Sequence, residues 1–133
     1  MIYNLYEYLN TALPELNIVV EQLDESDLQD TILLSLTSSK SQAYPSGRVD
    51  EIVKVRSFSN NEYDAKKNAE LIYNTLKENY NFYLPASPGN AYHSGTIKIN
   101  VLQAMQKPVF VGYAPNNTAI YTFDYNVIYS DNQ

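Results

Sequence analysis

The strongest constraint on the fold is a strict alternation of residue types near the end of the 133-residue chain. Between residues 119 and 129, an apolar or aromatic side chain stands at every second position, and the positions between them are mostly polar. The alternating large residues are Tyr121, Phe123, Tyr125, Val127 and Tyr129. This period places the two kinds of side chain on opposite faces of a β-strand. One face is then covered and the other wet, as in an antiparallel sheet. We expect the aromatic side chains to be core residues, or interface anchors where their hydroxyls reach the sheet margin.

Shorter runs of the same kind predict further strands at residues 17–21, 31–37, 51–58, 96–102 and 109–113. Apolar residues at helical spacing predict helices over residues 2–13 and 61–79. In the second helix the apolar positions are Ala65, Ala69, Ile72, Leu76 and Tyr80. Ser59 and Glu62 match the capping box that begins a helix. This order predicts one α+β domain over residues 1–133, with a mostly antiparallel sheet and two helices packed on one face.

The segment from Ser38 to Asp50 is polar and contains the turn signal Pro45-Ser46-Gly47. It lies between two predicted strands. The sequence therefore predicts a long, flexible hairpin loop at about residues 38–50.

Composition excludes several classes of site. The chain has no cysteine, which rules out disulfides, thiolate metal sites and a cysteine nucleophile. It begins without the basic and apolar regions of a secretory signal, and no run is long enough to span a membrane. We therefore expect a soluble protein of a reducing compartment, with no cofactor, no metal and no membrane partner.

Motifs for catalysis and for nucleic-acid binding are also missing. His93 is the only histidine, and no nucleophile-elbow pattern surrounds any serine. The four glycines are too scattered for a phosphate-binding loop. No basic stripe with interleaved aromatic residues is present, and the net charge is −6. These observations favour a protein that is not an enzyme.

Charge is distributed unevenly along the chain. The first 39 residues contain seven acidic residues and no basic one, whereas all nine basic residues lie between Lys40 and Lys107. If the fold keeps these segments apart, an acidic pole that includes Asp24 and Asp27 could meet a basic region that includes Lys54 and Arg56 on the next copy. The alternative is that helix packing intermixes the segments and removes the asymmetry.

The order of elements resembles the tail terminator, or tail completion, proteins of long-tailed bacteriophages, which are sometimes catalogued as minor capsid proteins. The matching features are the N-terminal amphipathic helix, a strand pair joined by the polar segment Ser38–Asp50, the strand Glu51–Arg56, the helix over residues 61–79 and the aromatic strand Ile120–Tyr129. The resemblance covers nearly the whole chain and consists of element order, size and acidity.

The resemblance implies a hexameric ring that caps the tail tube and presents a surface to the head–tail connector protein. It implies a location at the head-proximal end of the virion tail, after assembly in the cytoplasm of the host bacterium. DNA would pass through the lumen without specific binding, which suits an acidic protein. The hairpin of such proteins takes part in ring or tube contacts, so Tyr44 and Arg48 are candidates here.

Two alternatives remain open. One is a head–tail connector stopper, which shares the size and context but has more strand and less helix. The other is a small ligand-binding or hydrolytic α+β domain that uses the loop around His93, with Asn90 and Tyr92 lining its pocket.

Overall fold

The computed structural model describes residues 1–21, 29–43, 48–76, 78–90 and 94–130. These residues form two helices and seven strands. In chain order they are α1 (Ile2–Ala12), β1 (Asn17–Val20), β2 (Thr31–Ala43), β3 (Arg48–Ser59), α2 (Glu62–Leu76), β4 (Glu78–Leu84), β5 (Ile97–Ala104), β6 (Val109–Tyr113) and β7 (Ala119–Ser130).

All seven strands belong to one sheet. Six of them follow the order β1-β2-β3-β7-β5-β4, and β6 also pairs with β7. Every neighbouring pair is antiparallel except β1 and β2. Strand β7 is central: β3 pairs along its whole length on one side. On its other side, β6 pairs with residues 119–122 and β5 with residues 125–130. The sheet therefore has two halves that share β7.

The alternation of β7 is confirmed. All five large residues at the odd positions of β7 from Tyr121 to Tyr129 are buried, while the even positions from Ile120 to Ser130 are half-buried. We call the face with the buried positions the helix face, because α1 and α2 cover it, and the opposite face the outer face. The aromatic residues of β7 are thus core residues, as expected. The Tyr121 hydroxyl reaches Glu62, an exposed residue at the margin of the sheet.

Both helices pack on the helix face, so the predicted fold class is confirmed. Helix α1 buries Ile2, Leu5 and Leu9, and α2 buries the small and apolar residues of one stripe. Two buried hydroxyls hold α2 on the sheet, because Ser57 Oγ donates to the Ala65 carbonyl (2.8 Å) and Tyr125 Oη to the Ile72 carbonyl (3.1 Å).

The outer face is not uniformly wet. Leu33 and Phe58 are buried there and pack with the half-buried Val19 and Ile120. Because these four residues come from β1, β2, β3 and β7, one end of the outer face carries a small second apolar cluster.

The prediction of a long loop at about residues 38–50 is wrong. Strand β2 continues to Ala43 and β3 starts at Arg48, with Gln42 opposite Asp50 and a register shift after Thr37. Paired backbones extend both arms through this polar segment, because strand pairing depends on backbone hydrogen bonds and not on an apolar side-chain pattern. Only residues 44–47 separate the strands, and they lie outside the described residues, so the predicted flexibility stays a prediction.

The second helix is shorter than predicted. It ends at Leu76, and the predicted helical residues Asn79 and Tyr80 belong to β4, where Tyr80 pairs with Val101. A residue four positions beyond Leu76 fits helical spacing as well as an alternating strand, so periodicity alone could not separate the two at this point.

The start of α2 also differs from the predicted capping box. Asn61 is the capping residue, since its Oδ1 accepts the Tyr63 N–H at 2.9 Å. Ser59 Oγ instead accepts the Asn61 N–H (3.3 Å) and donates to Asp30 (2.6 Å). Glu62 is turned towards two tyrosines of the neighbouring strands.

Candidate functional site

Three of the six predicted interface residues lie on one face of one strand. Arg48, Lys54 and Arg56 all occupy even positions of β3 and therefore project from the outer face. Arg48 is exposed, and Lys54 Nζ lies 3.6 Å from Asp124 Oδ1 on β7. The outer face thus combines basic and acidic groups rather than a basic belt.

The other predicted interface residues, Tyr44, Asp24 and Asp27, lie outside the described residues, as do Tyr92 and His93 of the alternative ligand-binding loop. Asn90 is described, and its Nδ2 donates to Asn4 Oδ1 at 2.7 Å. That amide therefore joins the loop to α1.

A cavity of about 380 Å³ opens on the outer face between β3, β5 and β7. Its lining includes Asp50, Gln103 and Asn126, together with the apolar Ile52 and Met105. These side chains supply hydrogen-bonding groups, and among the described residues the lining contains no serine or histidine that could act as a nucleophile or imidazole base. No group of three or more metal-ligating side chains occurs within the described part of the chain.

The most prominent surface feature is an apolar patch on and beside β6, which we call the β6 patch. Its members are exposed by 39–61% of their surface: Met105, Val109, Phe110, Val111 and Tyr113. Strand β6 carries no charged residue. Contiguous exposed apolar side chains of this kind mark surfaces that bind other proteins.

Aromatic contacts fix the β6 patch on the body of the protein. The Phe110 ring lies 5.4 Å from the rings of both Tyr113 and Tyr121. Glu62, at the start of α2, accepts hydrogen bonds from Tyr113 Oη (3.1 Å) and Tyr121 Oη (3.5 Å). The hydrogen bond to Glu62 raises the pKa of Tyr113, and burial followed by the Glu62 charge raises that of Tyr121. The patch is therefore preorganised, with both hydroxyls kept protonated.

Charges differ between the two sides of α2. On the side next to β6, Lys66, Glu70 and Lys107 line one cavity. On the side next to β1, Glu15, Asp30 and Asp64 line another together with Lys67. Acidic residues of the N-terminal segment are thus concentrated beside β1, although Lys67 from α2 reaches the same place. Helix packing therefore mixes the acidic N-terminal segment with basic residues only in part.

Sequence reasoning predicted β6 as a strand but did not identify it as a surface. No local pattern distinguishes it, because β1 and β2 contain the same kind of consecutive apolar run at residues 18–20 and 32–34, and Ile32, Leu33 and Leu34 are all buried. The exposure of β6 follows from its position at an edge of the sheet, which is set by long-range strand pairing.

Comparison with known proteins identifies no relative: no family model matches the sequence, and no curated protein matches it. Within the described residues, neither helix has the length and apolar character needed to cross a membrane.

Proposed function

We propose that this protein is a non-enzymatic assembly protein of a long-tailed bacteriophage, which forms a ring on the end of the tail tube and joins the tail to the head connector. The observation that carries the proposal is the β6 patch, an edge strand whose apolar side chains are exposed and which contains no charged residue. The resemblance of the element order to that of tail terminator proteins suggests the particular assembly.

The charge of the chain agrees with a ring through which DNA slides. Double-stranded DNA binds proteins mainly through lysine and arginine at its phosphates. This chain has a net charge of −6, and the Lys54 ammonium is beside a carboxylate. The net negative charge of such subunits disfavours binding of DNA to the lumen.

The test is to measure the mass of the protein by light scattering, alone and mixed with purified tail tubes, and to image the mixtures by negative stain. We expect rings of about six copies, or caps at one end of the tubes, as the resemblance implies. Protein that stays monomeric at high concentration and leaves tube ends bare contradicts the proposal. Binding to purified connectors but not to tubes indicates the stopper instead.

Arg48 provides a second test at the hairpin end of the sheet. It is exposed at the start of β3, so the charge reversal Arg48→Glu leaves the core unchanged. We expect Arg48→Glu to weaken capping of the tube if the hairpin contacts it. Unaltered capping removes Arg48 from the contact surface.

A further inference from the structure

The unpaired edges of β1 and β6 lie at opposite ends of one row of paired residues that crosses β2, β3 and β7. Alongside the first residues of β7, the strand order is β1-β2-β3-β7-β6. Within residues 1–21, 29–43, 48–76, 78–90 and 94–130, no strand pairs with β1 on the side away from β2, or with β6 on the side away from β7. This half of the sheet therefore ends in two short strands, of four and five residues.

The directions of these strands are compatible with continuation. Strand β1 runs parallel to β2, and each following step to β3, β7 and β6 reverses direction. Three reversals make β6 antiparallel to β1. A second copy placed beside the first in the same orientation thus brings its β1 next to β6 as an antiparallel neighbour, the arrangement in which an edge strand can be extended.

Paired residues can be followed across the sheet from the edge strand β1 to the edge strand β6. Val19 pairs with Leu33, Leu33 with Arg56, Arg56 with Thr122 and Thr122 with Val109. These five residues form one row on the outer face. If the row continues into a neighbouring copy without a shift in register, Val109 of one copy lies opposite Val19 of the next. Antiparallel pairing then places Lys107, which precedes β6, opposite Glu21, which follows β1 with a left-handed backbone (φ 52°). The two therefore meet as flanking side chains rather than as members of the strand ladder.

Charge complementarity favours the same partner. Lys107 precedes β6 and lines a cavity with Lys66 and Glu70, so two basic residues and one acidic residue lie beside this edge. Strand β1 is flanked by Glu15 and Glu21, which are both exposed, and Asp30 lies close to Glu15. Opposite charges across an interface set register and exclude wrong partners.

We propose that the β6 edge of one copy pairs antiparallel with the β1 edge of the next copy, with Val109 opposite Val19 and Lys107 opposite Glu21. The contact joins two different surfaces of the same chain, so it is heterologous and closes into a ring when the rotation between copies permits. This inference rests on the proposed function, for which it supplies the subunit interface.

The third open edge fits less well. In β4, Asn81 has a left-handed backbone (φ 50°) and is missing from the ladder with β5. Interruptions of this kind weaken pairing at an edge. Strand β6 also has a register shift at Val111, so the main difference is that β4 lies beside β5, outside the row that joins β1 and β6. Tyr83 of β4 is 61% exposed, as is Val111 of β6, so it offers a matched control position.

A charge-reversal series tests the interface. We expect Lys107→Glu and Glu21→Lys each to raise the concentration at which rings form about tenfold or more, because like charges then face each other. The double variant Lys107→Glu/Glu21→Lys restores ring formation by exchanging the partners. Single variants that assemble normally, or a double variant that stays as weak as the single ones, overturn the proposed register.

The apolar part is tested by Val111→Lys, which places a charge on the exposed edge without touching the core. We expect Val111→Lys to abolish ring formation and Tyr83→Lys to leave it intact. Far-ultraviolet circular dichroism verifies that both variants fold. Rings formed by folded Val111→Lys overturn the inference.

Cross-linking separates a head-to-tail contact from a two-fold one. The natural chain has no cysteine, so the variant Lys107→Cys/Glu21→Cys reports only on the designed contact. We expect a short bis-maleimide to give a ladder of covalent oligomers beyond the dimer, and neither single cysteine variant to exceed a dimer. A ladder that stops at the dimer for the double variant overturns the inference.

The outcomes also separate this inference from the proposed function. If the natural protein caps tubes as a ring and the β6 and β1 variants do so equally well, the function stands and the interface is wrong. If the natural protein forms no ring with or without tubes, both proposals are wrong.

Discussion

Asn4 shows how one buried amide connects distant parts of the chain. It is fully buried on α1, where its Nδ2 donates to the Pro85 carbonyl at 2.9 Å and its Oδ1 accepts from Asn90. We expect Asn4→Ala to lower the free energy of unfolding by about 1–3 kcal/mol, because it removes both hydrogen bonds in a buried site.

Urea denaturation measures this loss, with Asn10→Ala as the control. Asn10 is exposed on the same helix, so its replacement changes stability by less than about 0.5 kcal/mol. Equal midpoints for the two variants would show that the Asn4 hydrogen bonds contribute no net stability.

Tyr125 gives stability a pH dependence at the alkaline end. Burial, followed by the electrostatic effect of Tyr73, raises the pKa of Tyr125 far above its ordinary value. As the pH rises past about 10, the unfolded chain loses this proton while the folded protein keeps it. The folded state then binds more protons than the unfolded state, so stability falls by up to about 1.4 kcal/mol per pH unit for this group.

We expect Tyr125→Phe to remove this part of the decline in stability above about pH 10. At neutral pH the same variant is less stable by about 1 kcal/mol, because the hydrogen bond to the Ile72 carbonyl is lost. Urea unfolding across the alkaline range measures both effects, with Tyr63→Phe as an exposed control. A slope identical to that of the natural protein contradicts the prediction.

Residue-level prediction from the sequence worked where burial follows an alternating pattern. Phe123, Tyr125 and Val127 were identified as core residues because every second position of β7 is apolar. Asn4 could not be identified, since an amide between the apolar positions of an amphipathic helix indicates a solvated residue. Its burial depends on a loop that begins more than 80 residues later in the chain.

At the scale of single elements, the cap of α2 is the contact most easily tested. Asn61 Oδ1 accepts the Tyr63 N–H, which satisfies one of the free amides at the start of the helix. We expect Asn61→Ala to lower stability by about 1 kcal/mol. The exposed neighbour Asn60 provides the control, and thermal unfolding is the measurement. If Asn60→Ala is equally destabilising, the cap assignment is wrong.

Element boundaries were predicted less well than element types. The arms of β2 and β3 extend into a polar segment because their backbone pairing continues where the sequence has no alternating apolar pattern. Strand β4 was not predicted, because Tyr80 fits both the helical spacing that continues α2 and the alternation of a strand. Both errors arise where long-range pairing, which a local pattern does not record, decides the conformation.

At the scale of the whole molecule, self-association couples assembly to stability. A folded protein that binds a second folded copy is stabilised by mass action, so its unfolding temperature depends on concentration. We expect the midpoint of the natural protein to rise with concentration and that of Val111→Lys to stay constant. Tyr83→Lys keeps the concentration dependence. A midpoint independent of concentration for the natural protein contradicts self-association through β6.

The position of β6 at the far end of the row that begins at β1 has a geometric consequence for such an assembly. A contact between unlike edges leaves one free edge at each end of any linear chain of subunits, so no local contact stops further addition. Growth ends when the first and last subunits meet. The number of subunits per turn is then set by the bend between adjoining sheets, and a mutation that flattens this bend turns a closed annulus into an open filament.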